Sequence, residues 1–390
     1  MPANLVFFKS VNVKLILTNK NIIHNQGIGL KFVFTFVPLK NNFMRKLIVL
    51  LVSVLSVFSV SAQKEYKIRT VAFYNVENLF DTINDTTKND EFSPMMELKA
   101  GRSKVYWDKI DKLGKVISEL GAEKAKTSPA ILGVAEIENK QVLEDLVKNK
   151  HLKKKRYGII HFDSPDKRGI DVALLYQQRY FKPVHFEAVN PNIYSNNKKI
   201  YTRDILWVSG YLDDELVHIL VNHWPSRRGG EAKSSPLREK AAYKVTQIME
   251  KIRENDKDAK IIIMGDFNDD PMNKSFKEVI KTKSDKEDVT KNDVFNPYEN
   301  MFEKGLNTTA YRDNLSLFDQ IMFTAPLLNK KGRKDFSTYK MFKSGIFNKR
   351  FLMQKQGRYK GYPFRSFSNG QYSGGYSDHY PVYLYLIKEK

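Results

Sequence analysis

Eight polar residues stand out because each lies in or directly after an apolar run: Asn75, Glu136, His223, Asp266, Asn268, Asp319, Asp378 and His379. The clearest case is Lys260 to Asn268, Lys-Ile-Ile-Ile-Met-Gly-Asp-Phe-Asn. Ile261 to Met264 read as a buried strand. Gly265 reads as its end, where the backbone can turn without a Cβ penalty. Asp266 and Asn268 then stand on a rigid strand end beside an open mouth. Singly, each of the eight has an ordinary reading as turn former, cap or surface charge. Jointly they bring carboxylates, amides and two imidazoles to strand ends.

Those donor types select a chemistry. Carboxylates and amides suit a hard cation, Mg²⁺ or else Mn²⁺ or Ca²⁺. The chain has no cysteine, which excludes thiolate catalysis, cysteine-ligated metal and disulfides. The histidines lack a His-x-x-x-His spacing, so zinc is disfavoured. An oxygen-rich cation site suits phosphoryl transfer, with the ion neutralising phosphate and leaving oxygen while histidines handle protons.

Four further residues each have more than one reading. Asp171, in Arg-Gly-Ile-Asp-Val-Ala, is an orienter of His223, a group approaching the metal, or a strand-edge charge. Glu138 lies two residues from Glu136 and shares its strand face if the strand continues; a helix N-terminal carboxylate is the favoured reading. Arg227 and Arg228 follow His223 and read as a bidentate phosphate clamp or as solvated loop charges; the clamp is the favoured reading for Arg227.

The elements that must position these groups follow from periodicity. Strands are expected over 68–76, 130–137, 157–163, 170–177, 204–212, 216–222, 261–264, 317–324 and 380–387. Helices are expected over 103–120, ending at Gly121, over 139–148, and over 236–253 with Pro236 at its start. Strands alternate with helices, yet 204–212 and 216–222 pair as a hairpin, which argues for a mixed, layered α/β or α+β fold rather than a parallel barrel. Residues 326–376 carry twelve Lys/Arg, eleven Phe/Tyr and one acidic residue, Asp335.

The N-terminus reads separately. Met44-Arg45-Lys46, the apolar run Leu47 to Val60 and the small-x-small Val60-Ser61-Ala62 make a signal peptide over 44–62, cleaved near Ala62. The run is too short to favour a transmembrane anchor. Residues 1–43 precede this complete signal peptide, so Met44 is the expected true start and a real N-terminal extension is the alternative. Residues 1–62 hold seven Lys/Arg and no Asp/Glu, so 63–390 keeps 58 Lys/Arg against 44 Asp/Glu, net +14. Such a charge attracts polyanions.

Asn75-Val-Glu-Asn, Glu136, Asn222-His-Trp-Pro-Ser, Gly265-Asp-Phe-Asn, Asp319 and Ser377-Asp-His, in this order, resemble the endonuclease/exonuclease/phosphatase superfamily, the pancreatic-deoxyribonuclease-like Mg²⁺-dependent phosphoesterases. The secreted bacterial endonuclease-like members are the nearest in pattern. The resemblance runs from about Ile68 to Ile387. It implies one catalytic domain over 63–390, an α+β four-layer α/β/β/α sandwich with two mixed sheets face to face and helices outside. It implies that Glu136 is the principal metal ligand, with Asn75 beside it and Asp378 helping. Asp266 would position or deprotonate the attacking water. Asn268 and His223 would hold phosphate oxygens. His379 would transfer a proton or bind phosphate, held in one tautomer by Asp319.

The leading expectation is therefore an exported, periplasmic or extracellular, metal-dependent endonuclease acting on DNA or RNA as a monomer without a stable protein partner. In 326–376, Lys and Arg would neutralise phosphates and Tyr and Phe rings would stack bases; a basic hairpin whose rings pack on the sheet is the alternative. A phosphodiesterase or phosphatase for a lipid or small phosphorylated substrate is the competing enzyme reading. A non-catalytic polyanion-binding protein is the third.

Overall fold

The structure, a computed structural model, describes Lys46 and residues 64–329, 332 and 335–390. The signal peptide and the upstream extension lie outside the described residues. Glu65–Lys390 forms one compact unit. No helix among the described residues is long and apolar enough to cross a membrane.

Twelve strands build two six-stranded sheets. In chain order they are β1 (Tyr66–Leu79), β2 (Ile131–Ile137), β3 (Tyr157–His161), β4 (Asp171–Gln177), β5 (Phe181–Val189), β6 (Ile205–Leu212), β7 (Glu215–His223), β8 (Ile261–Asp266), β9 (Val294–Phe295), β10 (Asp319–Thr324), β11 (Lys340–Ile346) and β12 (Val382–Glu389). The first sheet has the order β11-β12-β1-β2-β4-β3 and the second β9-β10-β8-β7-β6-β5. Both are mixed: β1 with β2 and β7 with β8 are parallel, while their other neighbours run antiparallel.

Side-chain alternation explains the layers. Ile262 and Met264 of β8 join Phe73, Ile131 and Leu174 in a core between the sheets. Ile261 and Ile263 point the other way, onto α3 (Glu231–Asn255), with Val245 and Ile248. Tyr74 and Leu132 pack outward on α1 (Arg102–Glu119) and α2 (Lys140–Lys148) through Ile110, Leu113 and Leu143. The result is the expected α/β/β/α sandwich.

Local chemistry sets the ends. Gly121 takes φ 71° after α1, and Asn139 caps α2 by accepting from Val142 N at 3.1 Å. Glu138 is therefore not the cap; its Oε2 accepts from Asp81 N at 2.6 Å. Helix α3 begins at Glu231, so Pro236 is its sixth residue rather than its first. Three strands have no counterpart in the expected set: β5, β9 and β11, all at sheet edges.

Gly265 lies inside β8 rather than ending it. Its missing Cβ serves close approach: a Cβ there would sit 2.3 Å from the Asn222 carbonyl oxygen on β7. Gly265→Ala is expected to lower stability by about 1–3 kcal/mol, since backbone must give way. The denaturation midpoint checks this; an unchanged midpoint would show that β7 and β8 separate freely.

Candidate active site

The alternation that builds the inter-sheet core also aims the polar residues. On β7, Val217, Ile219 and Val221 face the first sheet, so His223 does too. The parity of Ile262 and Met264 carries Asp266 to the same face, and that of Ile321 and Phe323 carries Asp319. Asp266 is in register with His223 on one side and with Asp319 on the other. From the opposite sheet, the parity of Val71 and Phe73 brings Asn75.

Glu136 breaks this rule. Leu132 and Val134 pack toward the helices, and strict alternation would send Glu136 with them. Instead Glu136 adopts φ 63°, and the pairing of β2 with β4 shifts register between Ala135 and Ile137. The bulge turns its carboxylate toward Asn75. A non-glycine residue in the left-handed region costs energy, and such strain gathers at functional sites. Glu77, Asn78 and Asn268 also have positive φ, at 51°, 47° and 51°.

The groups meet closely. Asn75 Nδ2 donates to Glu136 Oε1 at 3.2 Å and to Asp266 Oδ2 at 3.0 Å. Asn78 N donates to Glu136 Oε2 at 3.0 Å. His223 Nε2 stands 3.6 Å from Asp266 Oδ2 and 4.0 Å from Glu136 Oε1. His379 Nδ1 is 2.6 Å from Asp319 Oδ2, and its Nε2 is 3.9 Å from Asp266 Oδ2. Asn268 N donates to Asp266 Oδ1 at 3.0 Å, and its Nδ2 to the Trp224 carbonyl at 3.1 Å. Ser377 Oγ donates to the Asn75 carbonyl and accepts from His379 N, at 2.7 and 3.1 Å, tying the Ser-Asp-His segment to β1.

Electrostatics separate the titratable groups. Burial lifts the Asp266 carboxyl to about 6, with the His379 charge opposing and Asp319 reinforcing the rise. Burial alone would lower His379, but Asp319 and Asp266 outweigh it and hold the imidazole well above its usual value. Burial, with the Arg203 and Arg168 charges behind it, keeps His223 well below its usual value. At neutral pH the pair of histidines thus splits into one imidazolium, His379, and one neutral ring, His223.

A metal ion fits this donor set. Glu136, His223 and Asp266 each offer a ligand atom, all within 4.8 Å of one another, and Asp266, Asp319 and His379 make an overlapping group. Glu136 is the open member, its side chain 19% exposed. Asp378, expected beside Glu136, stands outside both groups because its Oδ2 is drawn to Arg365 NH2 at 2.9 Å. Asn75 offers its amide hydrogens to the two carboxylates, while its oxygen accepts from Glu77 N at 3.0 Å.

Other expected residues stand apart. Asp171 does not orient His223: its oxygens pair with His161 Nε2 at 3.0 Å and Ser164 N at 2.8 Å, and His223 Nδ1 has no hydrogen-bond partner among the described residues. Arg227 does not reach out as a clamp. Its guanidinium is spent on Glu231, Asp270 and Asn273, and its Nε holds the Asn268 carbonyl at 2.9 Å. Arg228 is exposed on the loop beyond.

Three supporting residues carry no role in the sequence analysis. Lys109 of α1 is fully buried and donates to Ser366 Oγ at 2.6 Å; burial lowers it to about 8. Glu77 is buried beneath the Ser366 and Phe367 amides, and burial raises it to about 7. Arg365 bridges Glu77 and Asp378. The signal for Lys109 was present: helical spacing sets it on the apolar face with Tyr106, Ile110 and Leu113.

Of the eleven rings in 326–376, only Phe342 and Tyr359 are exposed by half, at 51% and 52%. Tyr339, Phe347 and Phe367 are buried in the cores. The segment's aromatics are mainly packing residues, as expected of large apolar rings beside a sheet.

The model of the endonuclease/exonuclease/phosphatase family matches residues 70–388. Among solved structures, truncated Caenorhabditis elegans TDP2 is similar at TM-score 0.51 and 15% identity, over 82% of this chain and 97% of that one. An endonuclease/exonuclease/phosphatase family protein from Bacteroides thetaiotaomicron gives TM-score 0.49 and 17% identity over 84% and 97%. The human Nocturnin catalytic domain gives 0.48 and 14% over 84% and 98%. No curated protein matches the chain in sequence. The chain belongs to the endonuclease/exonuclease/phosphatase family, whose members are metal-dependent phosphoesterases, nucleases and phosphatases among them.

Proposed function

We propose that this member of the family is an exported metal-dependent phosphodiesterase whose substrate is nucleic acid. The observation that supports it most is the set of three adjacent strand ends, His223, Asp266 and Asp319 in register, facing Asn75 and Glu136 across the sheets with His379 closing the ring. A bound Mg²⁺, or Mn²⁺ or Ca²⁺, supplies charge neutralisation at the phosphate. Glu136 would hold it, with Asp378 swinging from Arg365 to assist and Asn75 keeping the carboxylates in place.

The chain's own groups then divide the work. Asp266, raised toward neutrality by burial, takes a proton from the attacking water, the task for which a pKa near the working pH is best. The His379 imidazolium, fixed by Asp319, faces the phosphate and stabilises the charge that develops there. Neutral His223 and the Asn268 amide hold the remaining phosphate oxygens. Arg227 braces Asn268 by its carbonyl.

Net charge +14 over 63–390 favours a polyanionic substrate. The packed rings of 326–376 favour the competing reading, a small phosphoester, since they remove most of the expected stacking surface. Parallel rates on single-stranded DNA, RNA, bis-p-nitrophenyl phosphate and p-nitrophenyl phosphate separate the two. Nucleic-acid cleavage exceeding the small esters in kcat/KM is the expected result. Hydrolysis of the small esters with polymers left intact would move the substrate to a small molecule.

A further inference from the structure

The stacking surface that 326–376 fails to provide exists elsewhere on the catalytic face. Between β5 and β6 a small hairpin pairs Tyr194–Ser195 with Lys198–Lys199. Asn196 and Asn197 form its two-residue turn with φ 47° and 58°, the pattern of a tight type I′ connection. The hairpin is anchored on one side. Ile193 is fully buried against α3, with Ile200 packed beside it, and Lys240 of α3 holds the Tyr194 carbonyl at 2.5 Å. On the other side Tyr194 and Tyr201 stay exposed, at 48% and 51%.

Single exposed rings are ordinary. What distinguishes Tyr201 is its cations. Lys167 Nζ lies 5.5 Å from the ring centroid and Lys199 Nζ 5.9 Å. Lys198 and Arg168, next in sequence to these two lysines, are exposed. The nearby acids are mostly turned inward: Asp166 pairs with buried Arg203 at 3.2 Å and Asp204 with Asn190 at 2.6 Å. Asp163 is the exposed acid of the 163–169 loop.

This wall is fastened to the site. Asp166 receives Arg168 at 3.3 Å as well as Arg203. Arg203 NH2 donates to the Trp224 carbonyl at 2.5 Å, one residue from His223, and the same carbonyl holds Asn268. On the other flank, Asn89 N donates to the Lys167 carbonyl at 2.7 Å and Lys88 Nζ to the Ser164 carbonyl at 3.2 Å. Few degrees of freedom remain to be lost when a ligand binds.

We infer that Tyr201, with Lys167, Lys198 and Lys199, is a subsite for single-stranded nucleic acid flanking the cleaved bond, the ring stacking a base and the lysines neutralising its phosphates. A half-exposed ring bordered by ammonium groups suits a base joined to phosphate, because every base offers a π-face and the backbone runs beside it. The inference rests on the nucleic-acid reading above and adds where the strand leaves the catalytic centre.

The test uses the purified chain with Tyr201→Ala, Tyr201→Phe and the double variant Lys198→Ala/Lys199→Ala. Affinity for a fluorescein-labelled oligothymidylate is read by anisotropy in EDTA, and bis-p-nitrophenyl phosphate hydrolysis is read with Mg²⁺. Tyr201→Ala is expected to weaken oligonucleotide binding roughly 5- to 100-fold, with Tyr201→Phe binding like the parent. The double variant should flatten the dependence of log affinity on log salt by about 1.4. All variants should hydrolyse the small diester at the parent's rate. Unchanged oligonucleotide affinity in Tyr201→Ala, or an equal loss on the small diester, would overturn the subsite. A parent chain that cleaves the small diester yet neither binds nor cleaves oligonucleotide would instead overturn the nucleic-acid reading, and the subsite with it.

Discussion

Replacing His379 by Ala is expected to lower phosphodiester hydrolysis by roughly a hundred- to ten-thousand-fold, the range supplied by one positioned proton-transferring or charge-stabilising side chain. Its partners explain the size of the effect. Asp319 sits 2.6 Å behind Nδ1 and is fully buried, so it both fixes the ring's orientation and keeps it charged. Nε2 is left facing the site, 3.9 Å from Asp266. Asp319→Asn keeps the shape but removes the charge, so its loss should approach that of His379→Ala. The double variant should lose little more than either single one, because groups that act as a unit are not additive. Rates on bis-p-nitrophenyl phosphate, with circular dichroism to show an intact fold, check both. Full activity in His379→Ala would remove the histidine from the reaction.

The second large effect belongs to Glu136. Glu136→Gln retains size but loses the carboxylate, and its single amide oxygen can accept from only one of Asn75 and Asn78. The Mg²⁺ concentration for half-maximal rate should rise by at least about tenfold, the lower end of what even outer partners of a metal site are worth. The bulge adds a signature that a merely structural residue would not show. Glu136 holds φ 63°, a conformation that asparagine adopts more readily than glutamate. Glu136→Asn should therefore unfold at the same or a higher denaturant concentration while its metal response is lost. Stability and activity moving apart in this way identify a strained functional position. A variant that loses both together would mark Glu136 as a packing residue.

Much of the site could be read from residue order because it obeys one rule. On β7, β8, β10 and β1 the polar residue continues the parity of the inward-facing apolar residues, so a buried strand that ends in His223 or Asp266, or begins at Asp319, had to aim that group between the sheets. The short range of that rule also marks where it stops. Glu136 has the wrong parity and reaches the site only through a bulge, which depends on a shift of partner strands that no local pattern reveals. Asp171 was a candidate for orienting His223, but the register of β3 against β4 gives it His161 as its partner instead. Arg227 follows His223 in sequence, yet Asp270 and Asn273, more than forty residues later, claim its guanidinium. In 326–376 composition showed basic and aromatic residues together but could not tell a ring on the surface from one under it. Helix α3 illustrates the same limit at smaller scale: Pro236 fits a helix start, but Ser234 N and Oγ both bond the Gly230 carbonyl and open the helix earlier.

The most direct measurement is the conversion of supercoiled plasmid to open circles by the purified chain, with Mg²⁺ and with excess EDTA. The account predicts nicking with Mg²⁺, none with EDTA, and recovery when Mg²⁺ is restored. Nicking that persists in EDTA would contradict a metal held at Glu136. An inert protein in Mg²⁺ that is equally inert toward small diesters would contradict the assignment of this site to phosphodiester hydrolysis.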